Sequence, residues 1–380
     1  MKSILIIIGS FEIGGSRTSL SSLLSVLDPK KLQVDVFARE RIGPLKDQMH
    51  NCRVLPENVW LNHRIYEGGV LQKMIVMVLY FLRGLLQNVG IDLFKLYNYI
   101  GGKQIGSDNY ETVIGFDETQ SRYLSAIPAK KRIIWLHSDY RRYVNGRNES
   151  KYYDKIDNVV CVSKFAKEAF VAVMPKCESK VVIIRNAINI ESIVESSKLV
   201  TPEIEQRFLH NGTKLFTMIS IGRLDPVKQF EKIPAIAADV KKRLDDGYKF
   251  QWLIVGGGND ALKREIEGEV RKHHVEKEVV LLGEQTNPYP YLAKSDLYVC
   301  TSLSETFSYT IHEGLVLKVP FLCNDFSGAI DSVLQASNEG YVLPIADMPA
   351  KIVELIYSPL HIDDCAISND ELLESFYNLV

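Results

Sequence analysis

Residues 304–314 read SETFSYTIHEG, which sets the carboxylates of Glu305 and Glu313 eight positions apart around a cluster of hydroxyl side chains. A β-like run, DLYVCTS, precedes them, and an apolar run, LVLKVPFL, follows. The pattern predicts strand, loop and helix, the helix starting near Ser308 or Tyr309 and ending at Leu317, ahead of Pro320. The free amides of Ser308, Tyr309 and Thr310 would then open that helix. Such an end binds phosphate through unsatisfied N–H groups and the helix dipole. Glu305 lies before this anion site, and Glu313 lies one turn beyond Tyr309. Ionised carboxylates are acceptors only and suit paired sugar hydroxyls. A ligand with a sugar at each end of a diphosphate matches all three elements. That ligand is a nucleotide sugar, with Glu313 on the ribose and Glu305 on the transferred hexose. The blander reading makes Glu305 a helix cap and Glu313 a solvated helix residue.

Two further stretches bear on the choice. In SIGRLDPVKQF, Arg223 and Lys228 follow a strand-like run, FTMIS, and both can reach one diphosphate, Arg by a bidentate fork and Lys as a point charge. In QWLIVGGGND, three glycines from Gly256 follow another strand and allow close backbone approach to a ligand. Their spacing is not G-x-G-x-x-G, so the dinucleotide fingerprint is not met.

In this order the three stretches resemble the retaining glycosyltransferases of family 4 (group 1), which have the two-domain GT-B fold. The resemblance runs through VVLLGEQTNPYPYLAKSDLYVCTSLSETFSYTIHEGLVLKVPFLCND and covers most of 215–345. It implies that Arg223 and Lys228 bind the donor diphosphate, that Glu305 contacts the donor hexose and that Glu313 holds the ribose. Phe307, Ser308, Tyr309 and Thr310, with Gly256 and Gly15, complete the implied donor site. There are departures. Thr306 and Ser308 stand where the family has Gly and then a small residue or Pro, and Gln229 stands where Gly follows the motif Lys. SGAID keeps only Gly328 and Asp331 of a Gly-Gly-acidic segment. The charged anchors are kept, so the departures bear on donor identity.

The first half is similar to the family more loosely. ILIIIGSFEIGGSRTSLSSLLSVL reads as strand, glycine loop and helix, with Gly14 and Gly15 in the place of the family's Gly-Gly loop and Arg17 as an anion contact. RIIWLHSDY puts His137 at a strand's carboxyl end, like the family's strand-end histidine at the donor hexose. Gly14, Arg17, Asp117 of VIGFDETQS and Asp139 are the acceptor-side candidates, and Asn186 of VVIIRNAIN is a cleft-lining one. The resemblance thus implies a retaining hexosyltransferase in polysaccharide or glycolipid biosynthesis, with His137, Glu305, Arg223 and Lys228 at the reaction centre. The donor is expected to be UDP-linked and the acceptor a saccharide or a lipid-linked one. No Asp-x-Asp triplet occurs, so no metal and no other cofactor is expected. Two alternatives stay open: a UDP-sugar epimerase of the same fold, and a catalytically silent glycosyltransferase-like binding subunit.

The elements that must position these residues follow from hydrophobic patterning. A chain of 380 residues exceeds one ordinary core, so two domains are expected. ILIII, VDVFA, TVIGF, RIIWLH, NVVCVS and KVVIIRN alternate with helical stretches, and FTMISIG, FQWLIVGGG, VVLLGE, LYVCTS and VPFLCND follow after residue 200. Continuous apolar strands of this length are buried on both faces, as in parallel sheets covered by helices. The fold class is therefore α/β, with two Rossmann-like domains facing a central cleft. The expected divisions are an acceptor-side domain at 1–190, a donor domain at 191–362 and a terminal helix at 363–380 that packs back on the first domain. SNDELLESFYNLV carries a capping pattern for that last helix.

Hydrophobic content of 46% and charged content of 24% fit a soluble globular protein. Residues 1–190 hold 27 Lys and Arg against 18 Asp and Glu, and the remainder holds 18 against 29. The basic half is expected to meet phosphates or, peripherally, a membrane surface, with Arg141 and Arg142 as candidate contacts. Nucleic acid is not an expected partner. The six cysteines show no C-x-x-C spacing, and Cys161, Cys300 and Cys323 sit in apolar runs as buried free thiols do, which points to a reducing compartment; the resemblance implies the cytoplasm. The opening apolar stretch, Ile4 to Ile8, is too short for a signal peptide's core and reads as a buried strand. The segment 70–90 is the most apolar in the chain. It reads as a buried helix, with a helix lying in a membrane interface as the alternative.

Overall fold

The structure is a computed structural model that describes residues 2–12, 14–62, 64–88, 93–210, 213–326, 328, 340–363 and 367–380. The chain divides into two compact units, Met1–Ile188 with Asn369–Val380, and Asn189–Ser368. Asp331 and Cys365 lie outside the described residues.

In the first unit the β-branched runs form β1 (Lys2–Ile8), β2 (Leu32–Ala38), β3 (Arg53–Val54), β4 (Thr112–Gly115), β5 (Arg132–Leu136), β6 (Asn158–Cys161) and β7 (Val181–Ile183). They pair in parallel in the order β3-β2-β1-β4-β5-β6-β7. Ile4 to Ile8 are all buried, because helices cover both faces of a parallel sheet. Strand order reverses between β1 and β4, so the loops leaving their carboxyl ends diverge there. That divergence opens the crevice in which α/β sheets bind ligands.

The second unit begins with a short antiparallel pair, β8 (Leu209–His210) and β9 (Thr213–Lys214). Its sheet holds β10 (Phe216–Ile221), β11 (Phe250–Val255), β12 (Val279–Gly283), β13 (Leu297–Cys300), β14 (Phe321–Asn324) and β15 (Gly340–Leu343). The order is β12-β11-β10-β13-β14-β15, all parallel, with the switch between β10 and β13. Period-two alternation sorts the core into two layers. Trp252 and Ile254 pack with Ile233, Ile266 and Ile352 on one face, while Leu253 and Val255 pack with Ile311 and Leu315 on the other.

Two expectations need correction. The apolar segment forms a helix, Val70–Asn88, but not a buried one: of its described side chains only Val76 is buried, and Val70, Met77 and Phe81 stand well exposed. No described element packs over its outer face. The terminal helix, Asp370–Leu379, forms without the capping bond its sequence suggests. The Asn369 amide instead exchanges two hydrogen bonds, at 3.0 and 2.9 Å, with the backbone of Ile188. Cys161, Cys300 and Cys323 are buried free thiols.

Candidate functional site

In the second unit the loops at the switch point carry the charged anchors. After β10 the chain passes Gly222, Arg223 and Leu224 into a single turn, Pro226–Lys228, capped by the Asp225 carboxylate, which accepts from the Val227 amide at 3.0 Å. After β13 the loop runs through Ser302 to Glu305. Thr301 Oγ1 donates to the Lys228 carbonyl at 2.6 Å, and the Leu303 amide donates to the Val227 carbonyl at 2.8 Å, so the two loops are stitched together. Lys228 Nζ consequently meets Glu305 Oε1 at 2.5 Å, and the Ser302 hydroxyl donates to the same oxygen at 2.8 Å. Burial works against the Lys228 ammonium, but Glu305, Cys300 and Asp225 outweigh it and hold its pKa above the ordinary value.

Arg223 is placed differently. Its side chain is 75% exposed, and its guanidinium lies 3.5 Å from Asp225. It shares the loop with Lys228 but is not joined to the Lys228–Glu305 pair. Gly256 has a structural reason to be glycine, because a Cβ there would lie 1.8 Å from the Gly222 carbonyl oxygen. With Gly257 and Gly258 it lines a cavity of about 140 Å³ beside Leu224, Asp260 and Glu284.

The helix after Glu305 runs Tyr309–Val316, with Ser308 as an N-cap that makes no side-chain capping bond. Its first amides lack intrahelical acceptors by geometry. Phe307 and Ser308 are buried, and the Phe307 ring stacks on His312 at 4.3 Å. The Thr310 side chain reaches Tyr298. Glu313 lies a turn into the helix and accepts a hydrogen bond from Tyr289 at 3.1 Å. Burial pushes its carboxyl up to about 7, against the smaller opposing pull of that bond.

Gln229 stands where the resemblance leads one to expect glycine after the lysine. Its backbone sits at φ 52°, in the left-handed region, and its buried Oε1 makes no hydrogen bond among the described residues. Gln229→Gly is therefore expected to raise stability by about 0.5–1 kcal/mol, read as a higher urea midpoint with unchanged slope.

In the first unit the β1 loop leads into the helix Gly15–Val26, with Gly14 as an uncapped N-cap. A Cβ on Gly14 or Gly15 would meet no atom within 4 Å, so the described fold leaves open space at both. Arg17 packs over Gly9, donates to Ser16 Oγ at 2.7 Å and lies 3.5 Å from Asp117. Asp117 is buried at the end of β4 and accepts from the Thr119 amide and Gln120 Nε2. Asp139 caps a short helix, Tyr140–Val144, and takes both Arg141 Nε and Nη2, with Arg142 at 3.9 Å. The positive charge expected to face a membrane at Arg141 is thus engaged within the unit. Asn186 is buried, its amide oxygen accepting from Ser19 at 2.7 Å.

His137 stands at the end of β5 with its ring against Phe116 and parallel to Trp135. Burial lowers its pKa to about 3, with Asp117 pulling up and Arg17 adding to the fall, so the imidazole is neutral. The residue that sequence reasoning missed is Glu118. It is buried, and its Oε1 accepts from the His137 amide at 2.5 Å, the Ser138 amide at 2.6 Å and the Ser138 hydroxyl at 2.9 Å. It fixes the turn that presents His137. The signal was its place in GFDETQS, at the same strand end as Asp117. Glu118→Ala would leave buried donors unpaired and is expected to cost about 2–4 kcal/mol. Glu118→Gln, which keeps an acceptor oxygen, should recover part of that in a denaturation series.

Residues 201–366 match the family described as Glycosyl transferases group 1. An N-acetylgalactosamine-N,N'-diacetylbacillosaminyl-diphospho-undecaprenol 4-alpha-N-acetylgalactosaminyltransferase of Campylobacter jejuni is 28% identical over 198 residues, covering 52% of this chain and 49% of that protein. A poly(ribitol-phosphate) alpha-N-acetylglucosaminyltransferase of Staphylococcus aureus is 27% identical over 180 residues, 46% of this chain and 34% of that one. The matched stretch thus spans half or less of these relatives. The crystal structure of Anabaena HepE in complex with UDP and glucose is similar with a TM-score of 0.69 at 14% identity, over 99% of this chain and 98% of that chain.

Proposed function

We propose, for a chain whose second unit carries a group 1 glycosyl transferase domain and whose fold is GT-B, the transfer of a hexosyl group from a nucleoside diphosphate sugar to an acceptor hydroxyl, with retention of anomeric configuration. The observation that carries this reading is the Lys228–Glu305 pair at the switch point of the second sheet, one loop away from an uncapped helix N-terminus. A cation, a carboxylate and a helix's amino end in one place suit a diphosphate joined to a sugar. The relatives' names support a donor of this class. HepE holds UDP and glucose, and the Campylobacter and Staphylococcus proteins transfer N-acetylhexosamines to lipid-linked and polymeric acceptors. We assign the donor as UDP-linked and the acceptor as a saccharide or lipid-linked hydroxyl on the cytoplasmic side.

As the glycosidic bond breaks, negative charge develops on the leaving diphosphate. Lys228, Arg223 and the first amides of the helix Tyr309–Val316 stabilise it. Lys228 is already charged and positioned by Glu305, so little reorganisation is needed when the phosphate arrives. Glu305, relieved of part of its partner, accepts the hexose hydroxyls, and Glu313 accepts those of the ribose. A loose transition state requires positioning more than a strong base. The leaving phosphate oxygen takes the acceptor's proton. Nothing in this scheme calls for a metal.

The test is a thermal-shift screen of UDP, GDP, UDP-glucose, UDP-N-acetylglucosamine and other nucleotide sugars. A ligand at ~100 times its Kd stabilises by about 2.7 kcal/mol, which is a shift of several degrees. A shift with one nucleotide, abolished in Glu313→Ala, supports the reading; no shift with any of them ends it.

A further inference from the structure

We propose that the helix Val70–Asn88 lies in the interface of an anionic lipid surface and docks the first unit there. This goes beyond the transfer reaction and stands without it. The helix touches its own unit along a narrow stripe: Val76 is buried, and Leu79, Arg83 and Leu86 are half-buried. At about 100° per residue these four positions fall within roughly 80° of arc. The opposite side carries Val70, Leu71, Met74, Ile75, Met77, Val78, Phe81, Leu82 and Leu85, all exposed, over about 160°. A surface helix of a soluble protein reverses this, with apolar residues inward and charges outward. A contiguous apolar face of this size marks an interaction surface rather than ordinary exposure.

The chemistry of the occupant follows from charge and shape. The helix holds Lys73 and Arg83 and no acidic residue, and the stretch 70–104 holds four Lys and Arg against Asp92 alone. Lys73 and Tyr80 sit at one edge of the apolar arc, about 40–60° from Val76. There they border a cavity of about 780 Å³ whose walls include Arg64 and Glu40. The next helix, Phe94–Gln104, adds exposed Leu96 and Tyr99 beside Lys95. Basic residues at the rim of an apolar arc are the arrangement of an interfacial helix, where ammonium groups reach lipid phosphates while apolar side chains enter the acyl boundary. A second copy of the chain fits less well. A copy of this helix offers no carboxylate to Lys73, because the helix holds no acidic residue.

The experiment is flotation of the full chain with vesicles of phosphatidylcholine alone and of phosphatidylcholine mixed with phosphatidylglycerol, with size-exclusion in parallel. The variants are Val78→Glu with Leu85→Glu, which project from the outer face where folding does not need them, and Lys73→Glu with Lys95→Glu. Cooperative thermal unfolding checks that each remains folded. The expected result is binding to the anionic vesicles that weakens in salt, falls at least ~10-fold in the outer-face variant, and loses its anionic preference in the lysine variant. Failure of the wild type to float with anionic vesicles overturns the proposal, as does equal binding to neutral vesicles or wild-type binding by the outer-face variant. A wild-type dimer that this variant makes monomeric, without vesicle binding, assigns the face to a second copy and also overturns it.

Discussion

Replacing Lys228 by alanine will lower turnover of the nucleotide-sugar donor by about 10²–10³-fold, the usual cost of removing one preorganised stabiliser of developing charge. Two effects add in the same direction. The leaving diphosphate loses a cation whose pKa its surroundings hold above the ordinary value. Glu305, with a side chain only 15% exposed, is left among the described residues with the Ser302 hydroxyl and no counter-charge, and then repels the incoming phosphates. The second effect also acts on stability. Breaking a fully buried pair costs about 3–5 kcal/mol, and this pair keeps enough solvent access to bring the figure to roughly 1–3 kcal/mol. Lys228→Ala combined with Glu305→Gln separates the two, because the neutral amide removes the orphaned charge. The double variant should regain most of the unfolding midpoint and none of the turnover. Arg223→Ala should be milder, because that side chain is solvent-exposed and, among the described residues, partnered only by Asp225. Wild-type turnover in Lys228→Ala would remove the donor-site assignment altogether.

What the sequence made legible tracks how local the cause is. ILIII and FQWLIV read as buried strands because an unbroken apolar run of that length has no other comfortable state, and both are strands with every residue of the second buried. Strands β3 and β15 were missed. The first is two residues long and opens on Arg53, and the second, GYVL, is bounded by Gly340 and Pro344. The start of the helix at Tyr309 was legible from the hydroxyl cluster before an apolar run. The burial of the helix Val70–Asn88 was not, since composition says that a helix is apolar but not whether anything covers it. Glu118 was illegible for a related reason. Asp117 and Glu118 leave the same strand end, and only the placement of β5 beside β4 shows that one oxygen of Glu118 receives three donors. Gln229 lies between these cases. Its departure from a family glycine was visible, while the left-handed backbone that gives the departure its cost is a property of the folded loop.

Binding of a nucleotide sugar will tighten as pH rises from about 6 to about 8, by roughly tenfold, and Glu313→Gln will bind more weakly with a flat profile. Burial raises the Glu313 carboxyl from its ordinary value near 4.5 to about 7 in the empty protein, so a large fraction is protonated near neutrality. A carboxylic acid holds only one ribose hydroxyl as acceptor, whereas the carboxylate takes two, so binding favours the ionised form and releases a proton below pH ~7. One pH unit of that linkage is worth about 1.4 kcal/mol, which sets the tenfold figure. A nucleotide sugar is the right probe, because its diphosphate lacks the terminal phosphate proton that titrates near pH ~6. The same group acts on folding with the opposite slope. The folded chain holds the Glu313 proton more tightly than the unfolded one, so the stabilisation is complete below about 4.5 and is lost as pH rises through about 7. Glu313→Gln should therefore be more stable than wild type at about pH 8, by on the order of 1–3 kcal/mol, while binding the donor worse. Gain of stability with loss of binding at one residue is a signature that a cap or a solvated helix position would not give. Equal loss of both, or a pH profile that survives the substitution, would place the titrating group elsewhere.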